Sequence, residues 1–172
     1  MMARANPKLG LRPFLPADAP LLAAIFRASI EELTGEDYNP AQQEAWAAKA
    51  DDEQEFADRL ARQLTLIATL DGSPVGFAAM QGNSTIDMMF VHPAVAGQGV
   101  GSMLYDALEK LAAARGAAQL TVEASDTALG FFQKHGFTAE QRNTVSVGNE
   151  WMSNTTMKKK LGAKGTASGA AS

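Results

Sequence analysis

The fold is read from one stretch, Val91-His92-Pro93-Ala94-Val95-Ala96-Gly97-Gln98-Gly99-Val100-Gly101-Ser102. An apolar run over residues 85–91, broken only by Asp87, reads as a strand, and Pro93 ends it. Three glycines then alternate at 97, 99 and 101, directly before an amphipathic segment. Residues without Cβ let successive backbone N–H groups point into one concave nest. A following helix adds its own unpaired N–H groups and the positive end of its dipole. The product is an anion site suited to a phosphate or pyrophosphate. A plain strand-to-helix turn would need one glycine, not three.

Two familiar phosphate loops fit poorly. A P-loop needs Lys and Ser/Thr after its last glycine, whereas Ser102 and Met103 follow Gly101. In a dinucleotide fingerprint, Gly97 and Gly99 would fit, but Ser102 stands where the third glycine belongs. Glu123 lies at a plausible ribose-contacting distance along the chain, yet residues 92–96 separate the strand end from the first glycine.

Working outward, Leu104, Leu108 and Leu111 mark one face of a helix over 99–115, which Gly116 stops. Residues 120–123 form a strand, and Ser125 or Asp126 caps a helix running to His135 and Gly136. The chain is extended from Phe137, with a Gly148-Asn149 hairpin before residues 150–161. Upstream, strands over 64–70 and 75–81 are joined by Asp71-Gly72, and Gly82-Asn83 leads into 85–91. A first strand covers 8–13. Asp18 then caps a helix with the stripe Leu21, Leu22, Ile25, Phe26, Ile30 and Leu33, closed by Gly35. Asn39-Pro40 opens a second helix, and Asp51 and Asp52 a third with Phe56 and Leu60 inward. The crossover helix makes its flanking strands parallel and the hairpins make the rest antiparallel. The class is α/β in the α+β sense: a mixed, mostly antiparallel sheet of about seven strands with helices on both faces.

Composition narrows the chemistry. The chain has 172 residues, 46% hydrophobic and 20% charged, with a net charge of −4. That is the balance of one ordinary globular domain, and it lacks the basic excess a nucleic-acid surface needs. Cysteine is absent, which excludes disulfides, thiolate metal sites and a Cys nucleophile. The two histidines, His92 and His135, are too few for a three-His zinc site, so no metal is expected. No apolar run reaches the roughly 20 residues that span a bilayer, and residues 1–10 have no signal-peptide core. A cytoplasmic protein without membrane or nucleic-acid partners, monomer or homodimer, is the expectation. Residues 1–161 read as one domain, and 162–172, rich in Gly, Ala, Ser and Thr, as a flexible tail.

The sequence resembles the GCN5-related N-acetyltransferase (GNAT) superfamily. Val91-His92-Pro93 followed by Gly97-Gln98-Gly99-Val100-Gly101 is similar to its acetyl-CoA motif. Phe131-Phe132-Gln133-Lys134-His135-Gly136-Phe137 is similar to its Phe-Tyr-Glu-Lys-x-Gly-Phe signature. The likeness covers residues 9–161, and Tyr38 to Trp46 resembles a bacterial branch.

The resemblance implies acetyl transfer from acetyl-CoA to a primary amine, of a small molecule or a peptide, in a ternary complex. It implies that Gly97, Gln98, Gly99, Val100, Gly101 and Ser102 hold the pyrophosphate. Met89, Phe90 and Val91 would pair with the pantetheine arm as an added strand, where two parallel strands splay apart. Ser125 takes the place of the family's Asn and Phe132 that of its Tyr, whose hydroxyl protonates the leaving thiolate in many members. Ala96 replaces an Arg or Gln. Asp87, the sole charge in its strand, is the leading candidate for the base that deprotonates the amine. Alternation places it on one face with Thr85 and Met89. Glu123 is the second candidate, and Tyr105 is a candidate acid. Tyr38 and the acidic group Glu31, Glu32, Glu36 and Asp37 would line the acceptor mouth. The alternatives are a non-catalytic acyl-CoA-binding module of this fold and a dinucleotide-binding oxidoreductase domain.

One measurement separates the donor classes. Acetyl-CoA at about 100 times its Kd is expected to stabilise the fold by about 2.7 kcal/mol, a Tm rise of about 5–10 °C for a chain of this size. NAD at the same concentration is expected to give none. The reverse pattern would reject the acyl-CoA reading.

Overall fold

A computed structural model describes residues 8–162. The expected signal-free first residues fall partly, and the expected tail almost wholly, outside them. Gly162, the first residue assigned to that tail, is ordered against the sheet: its N–H donates to the Ala118 carbonyl at 3.2 Å.

Seven strands form one sheet in the order β1-β2-β3-β4-β5-β7-β6. They are β1 (Leu9–Pro13), β2 (Leu64–Leu70), β3 (Ser73–Gln81), β4 (Thr85–Val91), β5 (Gln119–Ser125), β6 (Thr138–Val147) and β7 (Glu150–Lys160). The helices are α1 (Ala19–Leu33), α2 (Pro40–Ala47), α3 (Glu53–Ala61), α4 (Val100–Ala114) and α5 (Leu129–Lys134). Every neighbouring pair is antiparallel except β4 and β5, which are parallel. The α4 crossover between those two strands is the reason. A doubly wound parallel sheet, which the oxidoreductase alternative would need, is not this topology.

Each face of the sheet has its own core. On one side α4 and α5 bury Leu104, Tyr105, Leu108 and Phe132 against Ala68, Ala78, Ile86 and Val122. On the other, α1 and α3 bury Leu22, Phe26, Ile30, Phe56 and Leu60 against Ile67, Phe77, Ala79 and Met88. The α1 stripe is buried at Leu22, Ile25, Phe26 and Ile30, whereas Leu21 and Leu33 at its margins are exposed. Asp18 stands at the α1 N-cap, but its carboxylate does not cap. Arg12 takes it in a two-pronged pair at 2.9 and 2.8 Å, and the Leu15 N–H donates to it as well. Asn39 does cap α2, accepting from the Gln42 N–H, and Asp52 caps α3, accepting from Glu55. The helix expected from 126 to 135 is shorter: Ser125 Oγ accepts from the Ala128 N–H in a turn, and α5 begins only at Leu129.

Two irregularities position the site. Met80 pairs with Ile86 and Ala79 with Met88, so Asp87 is the extra residue of a β-bulge. The bulge breaks the expected alternation. Asp87 reaches toward α3, as does Met88 toward α1, while Met89 packs on the opposite face against the α4 core. The second irregularity is that β4 and β5 pair only at Thr85–Thr121 and Ile86–Val122. Beyond that point β4 has no strand partner on its β5 side.

Close packing of α4 on β3 depends on Gly76, where a Cβ would meet the Phe90 carbonyl oxygen at 3.1 Å and Val100 at 3.2 Å. Gly76→Ala is expected to lower the unfolding free energy by about 1–3 kcal/mol in urea titration. Gly130→Ala, within α5 with open space around it, is expected to raise it by about 0.4–1 kcal/mol. Equal effects at the two positions would contradict this account of the packing.

Candidate active site

Where β4 and β5 separate, a cleft opens. Its walls include Ile86, Asp87, Met88, Met89 and Phe90 from β4 and Val122, Glu123, Ala124 and Ser125 from β5. Phe26 and Trp46 close one side, and Met152, Ser153 and Asn154 of β7 another. Of the residues singled out in the sequence, Asp87, Glu123, Met89, Phe90, Ser125, Phe132 and Tyr38 all line this one cleft. Tyr105 and Glu31 do not. Glu31 is exposed and borders a separate shallow hollow with Arg27, Gln43 and Asp51. Asp37 accepts from Thr127 Oγ1 at 2.8 Å.

Tyr105 is 1% exposed, enclosed by Phe131, Phe132, His135 and Phe137. Burial first, and then the Glu109 carboxylate one turn along α4, push its phenol far above the ordinary value. It is a core residue behind Phe132 and does not itself line the cleft. Tyr38 is buried at the cleft with its hydroxyl engaged twice. It donates to the Ser153 carbonyl at 2.7 Å and accepts from the Asp126 N–H at 2.8 Å, tying α2's approach to β7 and the end of β5. Burial raises its pKa as well.

The two carboxylates differ. Asp87 accepts from Arg59 Nε and Nη2, both at 2.9 Å, and from Gln63 Nε2 at 2.7 Å. Burial alone would raise its pKa, but the hydrogen bonds from Arg59 and Gln63 and the charges of Arg59 and Lys49 outweigh it and hold the carboxyl below the usual range. A carboxylate so engaged is a weak proton acceptor. Glu123 is exposed, and its Oε1 accepts from Asn143 Nδ2 at 3.0 Å and Thr156 Oγ1 at 2.7 Å. Its other oxygen has no partner among the described residues, so Glu123 keeps an open acceptor toward the cleft.

Beyond the end of β4 lies the glycine loop. Gly97 has φ +80° and Gly99 φ +87°, and a Cβ at either would meet nothing within 4 Å. These glycines serve backbone conformation. Gly101 serves packing instead, since a Cβ there would meet the Phe131 ring at 3.3 Å. The Gln98 N–H donates to the Val95 carbonyl and Met103 N–H to Gly99. The N–H groups of Gly97, Gly99, Val100, Gly101 and Ser102 find no acceptor among the described residues. Five unpaired donors therefore lie in the loop and first turn leading into a 15-residue helix. Ser102 Oγ lies 3.2 Å from His135 Nε2, which joins the two sequence motifs.

Arg59 and Lys49 escaped the sequence reading. Arg59 had a signal: it follows Phe56 by three residues on the inward face of α3, and a lone acid in an apolar strand calls for a cation. Lys49, in a short turn between buried Ala47 and Ala50, had none.

Comparisons with known proteins agree with this fold. The family model described as Acetyltransferase (GNAT) domain matches residues 34–161. The "Uncharacterized N-acetyltransferase YafP" of Escherichia coli (strain K12) is 33% identical over 150 residues, 87% of this chain and 95% of that protein. The "Peptidyl-lysine N-acetyltransferase YjaB" of Salmonella typhimurium is 31% identical over 124 residues, 72% of this chain and 69% of that protein. A crystal structure described as a GCN5-related N-acetyltransferase, "Aminotransferase, Class-II", from Rhodopseudomonas palustris is 60% identical. It superposes with a TM-score of 0.88 over 94% of this chain and 99% of that one.

The Asp87 environment sets a pH expectation. A carboxyl held low in the folded state adds stability above its unfolded value, and that stability is lost as pH falls through the folded value. Arg59→Gln removes two donors and a charge while burial stays. The Asp87 carboxyl is then expected to titrate at a higher pH than in the unsubstituted chain, read by carboxyl-carbon NMR with Asp87→Asn as the assignment control. The acid limb of stability shrinks with it. An unchanged Asp87 titration would overturn the assignment of Arg59 as its partner.

Proposed function

This chain belongs to the GNAT acetyltransferase family and is an acetyl-CoA-dependent acyltransferase, and we propose that it transfers the acetyl group directly to a primary amine bound in the β4–β5 cleft. The observation that supports this reading most is the loss of pairing after Ile86–Val122. It leaves a polar strand edge, residues 87–91, running from the cleft toward the glycine nest. A thioester arm laid along Met89, Phe90 and Val91 as an added strand would put its acyl end in the cleft and its diphosphate at Gly97–Ser102. Gln98 and Val100 shape that loop, Ser125 holds the turn opposite, and Phe132 supplies an apolar wall.

The chemistry follows from what each group can do. The amine arrives as an ammonium and must lose a proton before its lone pair can attack. In this proposal Glu123 Oε2 accepts that proton, directly or through one water, because Asp87 is saturated by Arg59 and Gln63. The nitrogen then attacks the thioester carbonyl carbon. A backbone N–H within Met89–Val91 stabilises the oxyanion, the C–S bond breaks, and the sulfur leaves as thiolate. Phe132 has no proton to give, and the Tyr38 hydroxyl proton is committed to the Ser153 carbonyl. As the C–S bond breaks the attacking nitrogen sheds its second proton, and water relays that proton to the thiolate, giving the neutral amide and the thiol.

A second reading, a peptide lysine as acceptor, draws on the printed name of the Salmonella relative. Mass spectrometry of a lysine peptide beside a small amine distinguishes the two products.

Because the chain has no cysteine, every thiol released in the assay is CoA. Amine-dependent thiol release is the expected outcome, and thiol release with no acetylated amine would reject the reading. Gly99→Ala forces a side chain into a left-handed backbone at a cost of about 1–2 kcal/mol. It is expected to raise KM for acetyl-CoA about 5- to 30-fold, mainly on KM rather than kcat. Gly99→Ala with an unaltered KM would remove the loop from donor binding.

A further inference from the structure

The charges around the cleft are not all matched. On the β4 side, Arg59 and Asp87 neutralise each other in a two-pronged pair. Lys49 lines the same cleft, yet it makes no ion pair or hydrogen bond among the described residues. On the β5 side, Glu123 is an acid whose neighbours Asn143 and Thr156 are neutral. The cleft is therefore bipolar: one unmatched cation beside β4 and one unmatched anion beside β5. Phe26, Trp46, Met88 and Phe90 line the same cleft, and their apolar surfaces strengthen whatever charge pairing a ligand completes.

We infer that Lys49 is an anion contact of the acceptor site, so that the amine acetylated here also carries a carboxylate or a phosphonate-like group. This inference rests on the reading that an amine binds in the cleft. An amine with its nitrogen at Glu123 and its anionic group at Lys49 completes both unmatched charges at once. A neutral amine completes one, and a diamine sets its second cation against Lys49 and Arg59. The state of Lys49 agrees: although its side chain is open to solvent, the cleft walls desolvate it and Arg59 repels it, which lowers its pKa, with Asp87 only partly compensating. An entering anion offsets both effects by attracting the charged ammonium. The acidic side chains at the end of α1 do not oppose this, because Glu31 faces the separate hollow and Asp37 is engaged by Thr127.

The test compares four probes of similar length: 4-aminobutanoate, 3-aminopropylphosphonate, n-butylamine and 1,4-diaminobutane. With the wild-type chain and acetyl-CoA, kcat/KM is expected to be about tenfold or more higher for an anionic probe than for n-butylamine, and lowest for 1,4-diaminobutane. Lys49→Gln should collapse that ratio toward one, and Lys49→Arg should keep most of it. Preference for the diamine, or a ratio that survives Lys49→Gln, overturns the inference. The two anionic probes tell carboxylate from phosphonate as the group held.

Calorimetric titration of the same probes onto the chain saturated with CoA gives a readout without chemistry. Lys49-dependent binding of 4-aminobutanoate without turnover supports the anion contact and sinks the amine-acceptor reading. Turnover of n-butylamine without any preference for the anionic probes keeps that reading and sinks the anion contact. Failure of both anionic probes to bind or react also sinks it.

Discussion

The site depends on one constraint: two neighbouring parallel strands that pair for two residues and then separate. A strand edge inside a sheet is ordinarily covered, since unpaired N–H and C=O groups away from water are costly. Here β4 keeps its β3 partner throughout while its other edge is open from residue 87. The bulge at Asp87 turns the strand at the place where the separation begins. The open edge is thus a consequence of register rather than of a missing element. It runs from the carboxylates of the cleft to the glycine loop, so the cleft and the loop share a single strand.

Asp87 explains why that strand does not collapse onto β5. A charged side chain in an apolar strand costs free energy unless it is paired and hydrogen-bonded. Arg59 and Gln63 of the α3 region supply three donors, which anchors the bulge to the helical layer. The pair is about a quarter exposed, with side-chain exposures of 32% and 21%, so its worth lies in geometry more than in net stability. Asp87 is spent holding the strand, which leaves Glu123 as the carboxylate with free valence.

Much of this was legible in the chain. β2 and β4 fall on the residues their apolar runs mark, and the Asp71-Gly72, Gly82-Asn83 and Gly148-Asn149 turns are all present, because period-two patterning and turn glycines act locally. The three glycines marked the loop before α4, and the family signature at 131–137 marked α5, which meets that loop at Ser102 and His135. What stayed hidden was nonlocal. The bulge is a mismatch between two strands and leaves no mark on either one, so alternation misassigned the relation of Asp87 to Met89. Tyr105 sits one position off a leucine stripe, and only the packing of α5 shows that ring to be enclosed. Lys49 and Glu31 are both surface-like in sequence. Which of them faces the cleft is set by the path of α2 from Asn39 across to β7, where Tyr38 and Gln42 bond to backbone carbonyls.

In the reading proposed above, the two halves of the site would solve anion recognition differently. The glycine loop offers backbone N–H groups, which carry no net charge and need no counter-ion when empty. That suits a chain whose net charge is −4, since a cluster of lysines would recruit anions of every kind. Backbone donors also hold their spacing through φ angles alone, which fits a ligand of fixed geometry such as a diphosphate. The cleft uses full charges on side chains, in opposite signs on opposite walls. Charges discriminate by sign, and flexible side chains tolerate variation in length. In the proposed reading, a rigid dipolar nest would take the fixed donor and a bipolar, adjustable cleft the selected acceptor, a division that suits a transferase. In this chain β4 alone connects the two.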